Sequence, residues 1–357
     1  MALDFVTTQE IIAAARGNLD QNAWDYLTGG AESETTMRRN RFGLDALAFR
    51  PRILVDVSAI EPSTSFLGHK IRIPVMPAPI GSLQTLTPEG GVAVARAAEE
   101  FGTIQFVSSV TQPRLEEIAA ASASPKIFQL YVAGDLKWVE SLLARVKKAG
   151  YKALCLTVDT AHYGRRERQM MDRWLPPSRR QGGYEYRAAL TWEIMDAIKE
   201  MAALPFILKG VATAEDAALA VKHGVDAVYI SNHGGRQLDH GRGAIEMLPE
   251  IAAAVGGKAE IVLDGGITRG SDVVKAVALG AKAVGIGKLQ GWGLGAAGAA
   301  GLVRVLELLE NEITVTMGLL GVNRIDQLKP EYVCKTQPLE PSHEMSAFPH
   351  MPGGRLT

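Results

Sequence analysis

A histidine and an arginine stand three positions apart, with two glycines between them, in the run Ser231-Asn232-His233-Gly234-Gly235-Arg236-Gln237-Leu238-Asp239. An imidazole takes a proton near neutral pH. A guanidinium holds a carboxylate through two parallel hydrogen bonds. Glycines let the backbone approach a flat ligand without a Cβ in the way. The run follows the apolar stretch Ala227-Val228-Tyr229-Ile230, so it leaves the end of a strand. Taken alone, it suits proton chemistry on a small acid beside a planar cofactor. The competing reading is a glycine-rich turn with a solvated arginine and a hydrogen-bonded histidine.

Such a pair acts only if other elements bring partners to it. Eight short apolar runs read as buried parallel strands: 74–79, 103–108, 126–131, 153–159, 206–209, 227–231, 261–264 and 283–287. Helical patterns alternate with them, at 89–101, 115–121, 135–149, 192–203, 214–223, 246–255, 271–279 and 302–316. Eight strands in strict alternation with helices predict an α/β fold of the (β/α)8 TIM-barrel type rather than a doubly wound open sheet. The predicted organisation is a single domain over 1–337. Residues 1–70 form a helical capping segment with helices at 8–16, 21–28 and 35–44, the barrel spans 71–320, and an irregular tail runs from 338 to 357. Fifty positions separate Asp159 from Lys209, and the part holding Pro176-Pro177 and Gly182-Gly183 reads as an active-site loop or lid. The glycine-rich segment 291–301 reads as a packed loop and helix start, not a dinucleotide fingerprint.

In a TIM barrel the active site lies at the C-terminal ends of the strands. Those ends carry Gln129 and Tyr131, Thr157 and Asp159, Lys209, Ser231 followed by His233 and Arg236, then Asp264-Gly265-Gly266, then Gly287-Lys288. His233 is the candidate general base, with Asp159 to orient its imidazole. Arg166 and Arg236 are candidates to clamp a carboxylate, Tyr26 and Tyr131 to donate or accept through their hydroxyls, and Lys209 to stabilise a developing anion. Gly265, Gly266, Gly287 and Lys288 fit a phosphate site at the ends of strands seven and eight.

The composition agrees with an enzyme of this kind. The chain has 357 residues, 47% hydrophobic and 22% charged, with formal net charge -1, which points to no nucleic-acid or membrane partner. Its two cysteines suggest a reducing cytoplasm, with Cys155 in the core and Cys334 in a polar segment. No His, Cys and Asp grouping has metal-ligand spacing, so no metal is expected. No secretory leader and no membrane-spanning run are expected either.

Residues beyond the nonamer extend the pattern: Asp25-Tyr26-Leu27-Thr28-Gly29-Gly30-Ala31, Arg50-Pro51-Arg52-Ile53-Leu54, Phe128-Gln129-Leu130-Tyr131, Leu156-Thr157-Val158-Asp159-Thr160, Gly164-Arg165-Arg166-Glu167, Leu208-Lys209-Gly210-Val211 and Leu263-Asp264-Gly265-Gly266. In this ordered set the chain resembles the FMN-dependent α-hydroxy acid oxidase and dehydrogenase family over nearly its whole length. The resemblance implies one FMN and oxidation of a 2-hydroxy acid to the 2-oxo acid, with electrons passing to O2 or another acceptor. It implies a homo-oligomer, tetrameric or larger. By the same resemblance His233 is the base, paired with Asp159. Arg166, Arg236 and Tyr26 bind the substrate carboxylate, and Tyr131 lies near the substrate hydroxyl. Lys209 lies at the flavin's N1 and O2. FMN is held by Pro79, Ser108, Gln129, Thr157, Ser231, Asp264 and the glycines at the ends of strands seven and eight.

Four positions depart from that family's pattern: Val110 where Trp is frequent, Ile80-Gly81 where Thr-Ala is frequent, Thr268-Arg269 for an earlier Arg, and Lys288 for Arg. Val110 and Gly81 remove bulk on the substrate side. They predict a substrate larger than glycolate, aromatic or branched, with Met170, Met171 and Trp174 supplying the rest of the wall. Two other readings stay open at this point. One is the same fold and cofactor acting on an amine, a hydroxylated ring or a peptide-derived group. The other is a flavin-free lyase using Lys209 as a Schiff-base amine.

Overall fold

The computed structural model describes residues 4–180, 182–339 and 341–351. Eight parallel strands form a nearly closed barrel: β1 (Val75–Pro77), β2 (Gln105–Ser108), β3 (Lys126–Leu130), β4 (Ala153–Thr157), β5 (Phe206–Val211), β6 (Ala227–Ile230), β7 (Glu260–Leu263) and β8 (Ala283–Ile286). Neighbours pair in sequence order from β2 to β8, and β8 pairs back onto β1. The β1 and β2 edges are bridged by the Thr103 hydroxyl, which donates to the Val75 carbonyl at 2.7 Å. The fold is the expected (β/α)8 barrel.

The strands read as continuous apolar runs because both faces are buried. One face meets the surrounding helices and the other fills the barrel. The interior cluster takes Met76, Phe106, Ile127, Cys155, Ile207, Tyr229, Val262 and Ala283, one from each strand. Burying side chains of this size contributes about 1.5–3 kcal/mol for each large one. Side chains alternate with period two along a strand. Two positions further on, the same face therefore presents Ala78, Ser108, Gln129, Thr157, Lys209, Ser231, Asp264 and Gly285. The polar mouth is thus an extension of the apolar plug beneath it.

Three helices precede the barrel: α1 (Thr8–Asn18), α2 (Gln21–Thr28) and α3 (Thr35–Asp45). Thr7 and Glu10 form a capping box on α1, and the Asp20 carboxylate accepts from Ala23 N to start α2. Residues of α2 and α3 reach the mouth. The antiparallel hairpin Thr64–Phe66 with His69–Ile71 sends Phe66 and Ile71 into the interior cluster. The sequence reading assigned no strands there, because three-residue strands leave almost no periodic signal.

After β8 the 33 residues Lys288–Leu320 form two helices joined across a kink at Ala297 and Gly298. Residues 291–301, expected as a packed loop and helix start, hold the end of the first helix, the kink and the start of the second. The glycines serve close approach: a Cβ on Gly291 would lie 2.1 Å from a Leu27 methyl, and one on Gly293 2.9 Å from the Gly301 carbonyl. This run has the length and hydropathy of a membrane span, and its face is packed into the core of the barrel domain. The described part of the tail is folded against the domain. Met345 and Phe348 are buried, Phe348 lies edge-on to Trp292, and Ser342 and Ser346 donate to Asp45.

Candidate active site

His233 follows β6 in the left-handed region at φ 58, and Gly234 and Gly235 continue there at φ 67 and 77. A non-glycine residue held so is strained and marks a backbone fixed by its surroundings. The hold is visible. His233 N donates to Ser231 Oγ at 3.0 Å, and a Cβ on Gly235 would strike the Met37 backbone at 2.5 Å. The turn thereby aims the imidazole across the mouth. Its Nδ1 lies 3.1 Å from Asp159 Oδ1 and its Nε2 lies 3.3 Å from the Tyr131 hydroxyl.

Burial pushes the His233 pKa below its ordinary value, Asp159 opposes that shift, and Lys209 adds to it. The Asp159 carboxyl sits below its usual range although burial acts against this, because His233 and Lys209 favour its charge. The lowered His233 pKa favours a neutral imidazole beside the Asp159 carboxylate, the state a general base requires. Asp159 itself is positioned by a gap in the next strand. Gly210, at φ 110, lies in the bulge between Lys209 and Val211, and a Cβ there would meet Asp159 Cβ at 2.8 Å.

Beneath this pair the inward polar layer is joined side to side. Lys209 Nζ donates to Ser231 Oγ at 2.9 Å and lies 3.7 Å from Asp264 Oδ2, and Ser231 Oγ donates to Asp264 Oδ1 at 2.6 Å. Burial works against the Lys209 charge, but Asp264 and Asp159 more than restore it, leaving its pKa raised. A Schiff-base amine must be neutral to attack. Lys209 is instead a fixed cation, which speaks against the flavin-free reading.

The carboxylate clamp is also assembled. Arg166 and Arg236 both face the cavity, and neither pairs with a carboxylate among the described residues. Arg236 Nη1 donates to the Gly29 carbonyl at 2.6 Å, and its guanidinium lies 5.2 Å over the Tyr26 ring. Burial and then Arg166 bring the Arg236 pKa down to about 10. Two adjacent cations that repel each other form a site for a small anion. Tyr26 Oη donates to the Gly81 carbonyl at 2.5 Å, tying the second helix to the loop after β1.

The expected cofactor residues divide into two groups. Pro79, Lys209, Asp264, Gly265, Gly266, Gly287 and Lys288 line the cavity. Ser108, Gln129, Thr157 and Ser231 lie buried just beneath it. Gln129 donates from Nε2 to Thr157 Oγ1 at 2.8 Å, while its Oε1 is buried with no donor among the described residues. An orphaned carbonyl there fits the N–H edge of a flavin ring. At the other end of the cavity Gly265 and Gly266 have φ 101 and 81 and press against Asn40, and Gly287 caps the N-terminus of Lys288–Leu320. Backbone amides and a helix N-terminus fit a phosphate. Burial lowers the Lys288 pKa to about 7, and Lys288 Nζ donates to the Thr28 carbonyl at 2.7 Å. Arg269 faces away and pairs with Glu312 at 2.8 Å, whereas Thr268 lines the cavity. These residues fit FMN.

Some wall residues had no signal in the sequence. Arg41 of α3 pairs with Asp272 at 2.7 Å and with Asp45 at 2.8 Å, and donates to the Gly266 carbonyl at 3.1 Å, which fixes the loop after β7. Asn40 bonds the Asn232 side chain and accepts from Ala244 N at 2.9 Å. Gln237 donates to the Asp159 and His162 carbonyls at 3.0 and 2.7 Å. The lid differs from expectation as well. Met170 and Met171 are exposed, and Trp174 lies edge-on to Tyr26 without lining the cavity. The lid residues that do line it are Ser178, Tyr184 and Arg187, together with Tyr163. Gly81 leaves no void either: a Cβ there would meet Val110 Cγ2 at 2.7 Å and Ser178 Cβ at 3.3 Å.

Residues 15–335 match the family model described as FMN-dependent dehydrogenase. The chain is 40% identical to an L-lactate oxidase of Nostoc sp., covering 89% of this chain and 95% of that protein. It is 38% identical to glycolate oxidase 1 of Zea mays, covering 97% and 99%. The solved structure of a mandelate oxidase with (S)-2-phenylpropionate superposes with a TM-score of 0.87 at 36% identity, covering 94% of this chain and 100% of that one. On the match of both sequence and barrel, the chain belongs to the FMN-dependent dehydrogenase family, as an FMN-dependent oxidoreductase acting on the CH–OH group of 2-hydroxy acids.

Proposed function

We propose that the protein oxidises a 2-hydroxy acid larger than glycolate, with an aromatic or branched side chain, to the 2-oxo acid. His233 is the base, and Arg166 and Arg236 are the carboxylate clamp. The carrying observation is the convergence on one cavity of a His–Asp pair and two guanidiniums that have no carboxylate partner among the described residues. Arg236 and Arg166 hold the substrate carboxylate, Tyr26 buttresses Arg236, and Tyr131 lies within reach of the hydroxyl that His233 faces. His233 takes a proton from the substrate and Asp159 stabilises the resulting imidazolium. FMN, when bound, would accept the two electrons and the second proton that leave the substrate. Lys209 holds positive charge at the buried layer where negative charge grows. We assign O2 as the final acceptor, reduced to hydrogen peroxide, in keeping with the relatives named as oxidases.

The case for a large side chain rests on the wall. Val110, Tyr131, Tyr163 and Tyr184 face the cavity, and aromatic walls favour an apolar or aromatic group. The mandelate oxidase structures with phenyl ligands lend support by likeness. The test is anaerobic flavin reduction by glycolate, lactate and mandelate, followed by oxygen consumption and peroxide yield with the best acid. Mandelate is expected to reduce the flavin fastest, and Val110→Trp to shift preference toward the smaller acids. Glycolate as the best substrate, or an unchanged preference in the variant, would refute the size assignment.

A further inference from the structure

Three guanidiniums on the substrate side of the cavity lack a carboxylate among the described residues: Arg166, Arg236 and Arg187. One substrate carboxylate accounts for the first two. Arg187 remains. It sits on the short helix Tyr184–Ala188 of the lid, and is only 7% exposed. Its Nε donates to the Val132 carbonyl at 3.3 Å, while neither terminal nitrogen has an acceptor among the described residues. The guanidinium is held between two rings, 4.8 Å over Tyr131 and 4.5 Å over Tyr184. Tyr131 touches His233 through its hydroxyl, so Arg187 stands one aromatic ring away from the base.

A buried cation with unmet donors is costly. The stacking offsets part of that, since a ring face attracts a guanidinium. It leaves the in-plane N–H groups unused, and those are the groups that read a carboxylate. Another buried arginine of this cavity wall, Arg41, is neutralised by Asp272 and Asp45. Arg187 has no such neighbour among the described residues, and it lines the same cavity as the cations Arg166 and Arg236.

We propose that Arg187 is a second anion site, and that the substrate is a 2-hydroxy acid whose side chain carries its own carboxylate. This rests on the 2-hydroxy acid reading above and narrows it. The reacting carboxylate goes to Arg166 and Arg236, and the distal one meets the two terminal nitrogens of Arg187. The side chain between them passes along the Tyr131 ring. The distal group takes no part in bond making, so its effect is on binding and on orientation.

The test uses matched pairs that differ only in the distal group, with the FMN-loaded enzyme: 4-carboxymandelate against 4-carbamoylmandelate, and 3-carboxymandelate against 3-carbamoylmandelate. Anaerobic flavin reduction gives a dissociation constant and a limiting rate for each. In at least one pair the acid is expected to bind about ten- to a hundredfold tighter than the amide, the scale of a charge-assisted hydrogen bond. That preference should shrink as salt is raised. Arg187→Met should bring the ratio close to one and Arg187→Lys should keep part of it, a pattern that a purely structural stacking role does not produce. Wild-type enzyme that binds both amides as well as the acids overturns the proposal without recourse to any variant. If simple 2-hydroxy acids bleach the flavin while no acid–amide preference exists, the second site alone falls. If no 2-hydroxy acid bleaches it, the function proposed above falls too.

Discussion

On the strand-end side of the cavity, Lys209, Ser231, Asp264, His233 and Asp159 are joined by contacts of 2.6 to 3.7 Å, and every one of them stands at or just beyond the end of a barrel strand. On the lid side, from Tyr163 to Arg187, hydrogen bonds such as Arg166 to the Tyr163 hydroxyl at 2.7 Å and Ser178 N to Ser82 Oγ at 2.8 Å share the holding with a set of guanidinium–ring stacks that the strand-end side lacks. Arg166 and Arg179 lie 4.1 and 3.9 Å over Tyr163, and Arg179 and Arg187 lie 4.6 and 4.5 Å over Tyr184. Hydrogen bonds fix an angle, whereas ring stacking tolerates sliding. Proton and electron transfer need fixed angles, so the chemistry belongs to the strand ends. Choice among side chains needs a surface that adapts, so selection belongs to the lid.

That division can be broken. His233→Ala should lower the limiting rate of flavin reduction at least about a hundredfold, with all acids affected alike and FMN content unchanged. Stopped-flow reduction with three acids checks it, and a loss that varies strongly among acids would contradict the division. Arg236→Lys should cost about ten- to a hundredfold in the ratio of reduction rate to dissociation constant, because an ammonium cannot replace a two-pronged contact. If the substrate bore no carboxylate, this change would have little effect and an amine or another group would be the better reading. Tyr163→Phe removes the hydroxyl that accepts from Arg166 Nη1 at 2.7 Å. It should change dissociation constants by less than about tenfold and reorder the acids, with limiting rates nearly constant.

The smallest effect expected is on pH. His233 works as a base only when neutral, and its pKa is lowered, chiefly by burial. The reduction rate should therefore rise with pH through a midpoint below the ordinary histidine value and then level off. Asp159 pulls that pKa upward, so Asp159→Asn should move the midpoint lower still while reducing the plateau. Reduction rates measured between about pH 5 and 8 decide it. A midpoint above the ordinary value would mean that the imidazole is more solvated than its position implies.

The strand-end half was legible in the sequence because a strand has a period. Once Cys155 and Tyr229 are placed inward, Thr157 and Ser231 must follow on the same face, and the turn after Ile230 delivers His233. The lid was not legible. Its residues follow no period, so Met170 and Met171 were assigned to the wall on hydrophobicity while Tyr184 and Arg187 were passed over. Arg41 and Asn40 were missed for another reason. Their partners Asp272 and Asn232 lie about two hundred residues along the chain, and nothing local to α3 announces them. Over 291–301 the reading of a packed loop and helix start missed the helical turns before the kink at Ala297 and Gly298, because glycine disfavours helix and tertiary packing against Leu27 overrides that preference.

Gly210 has no side chain and touches no substrate, yet its missing methyl is the space that Asp159 occupies. In a scan of single substitutions it would score as an essential position. Its variants would keep Lys209, His233 and both arginines, and would still lose activity through a displaced carboxylate. A library that spares only the polar residues of this mouth would discard its active members at Gly210, so the boundary of the catalytic apparatus, counted by what cannot be changed, includes an atom that is not there.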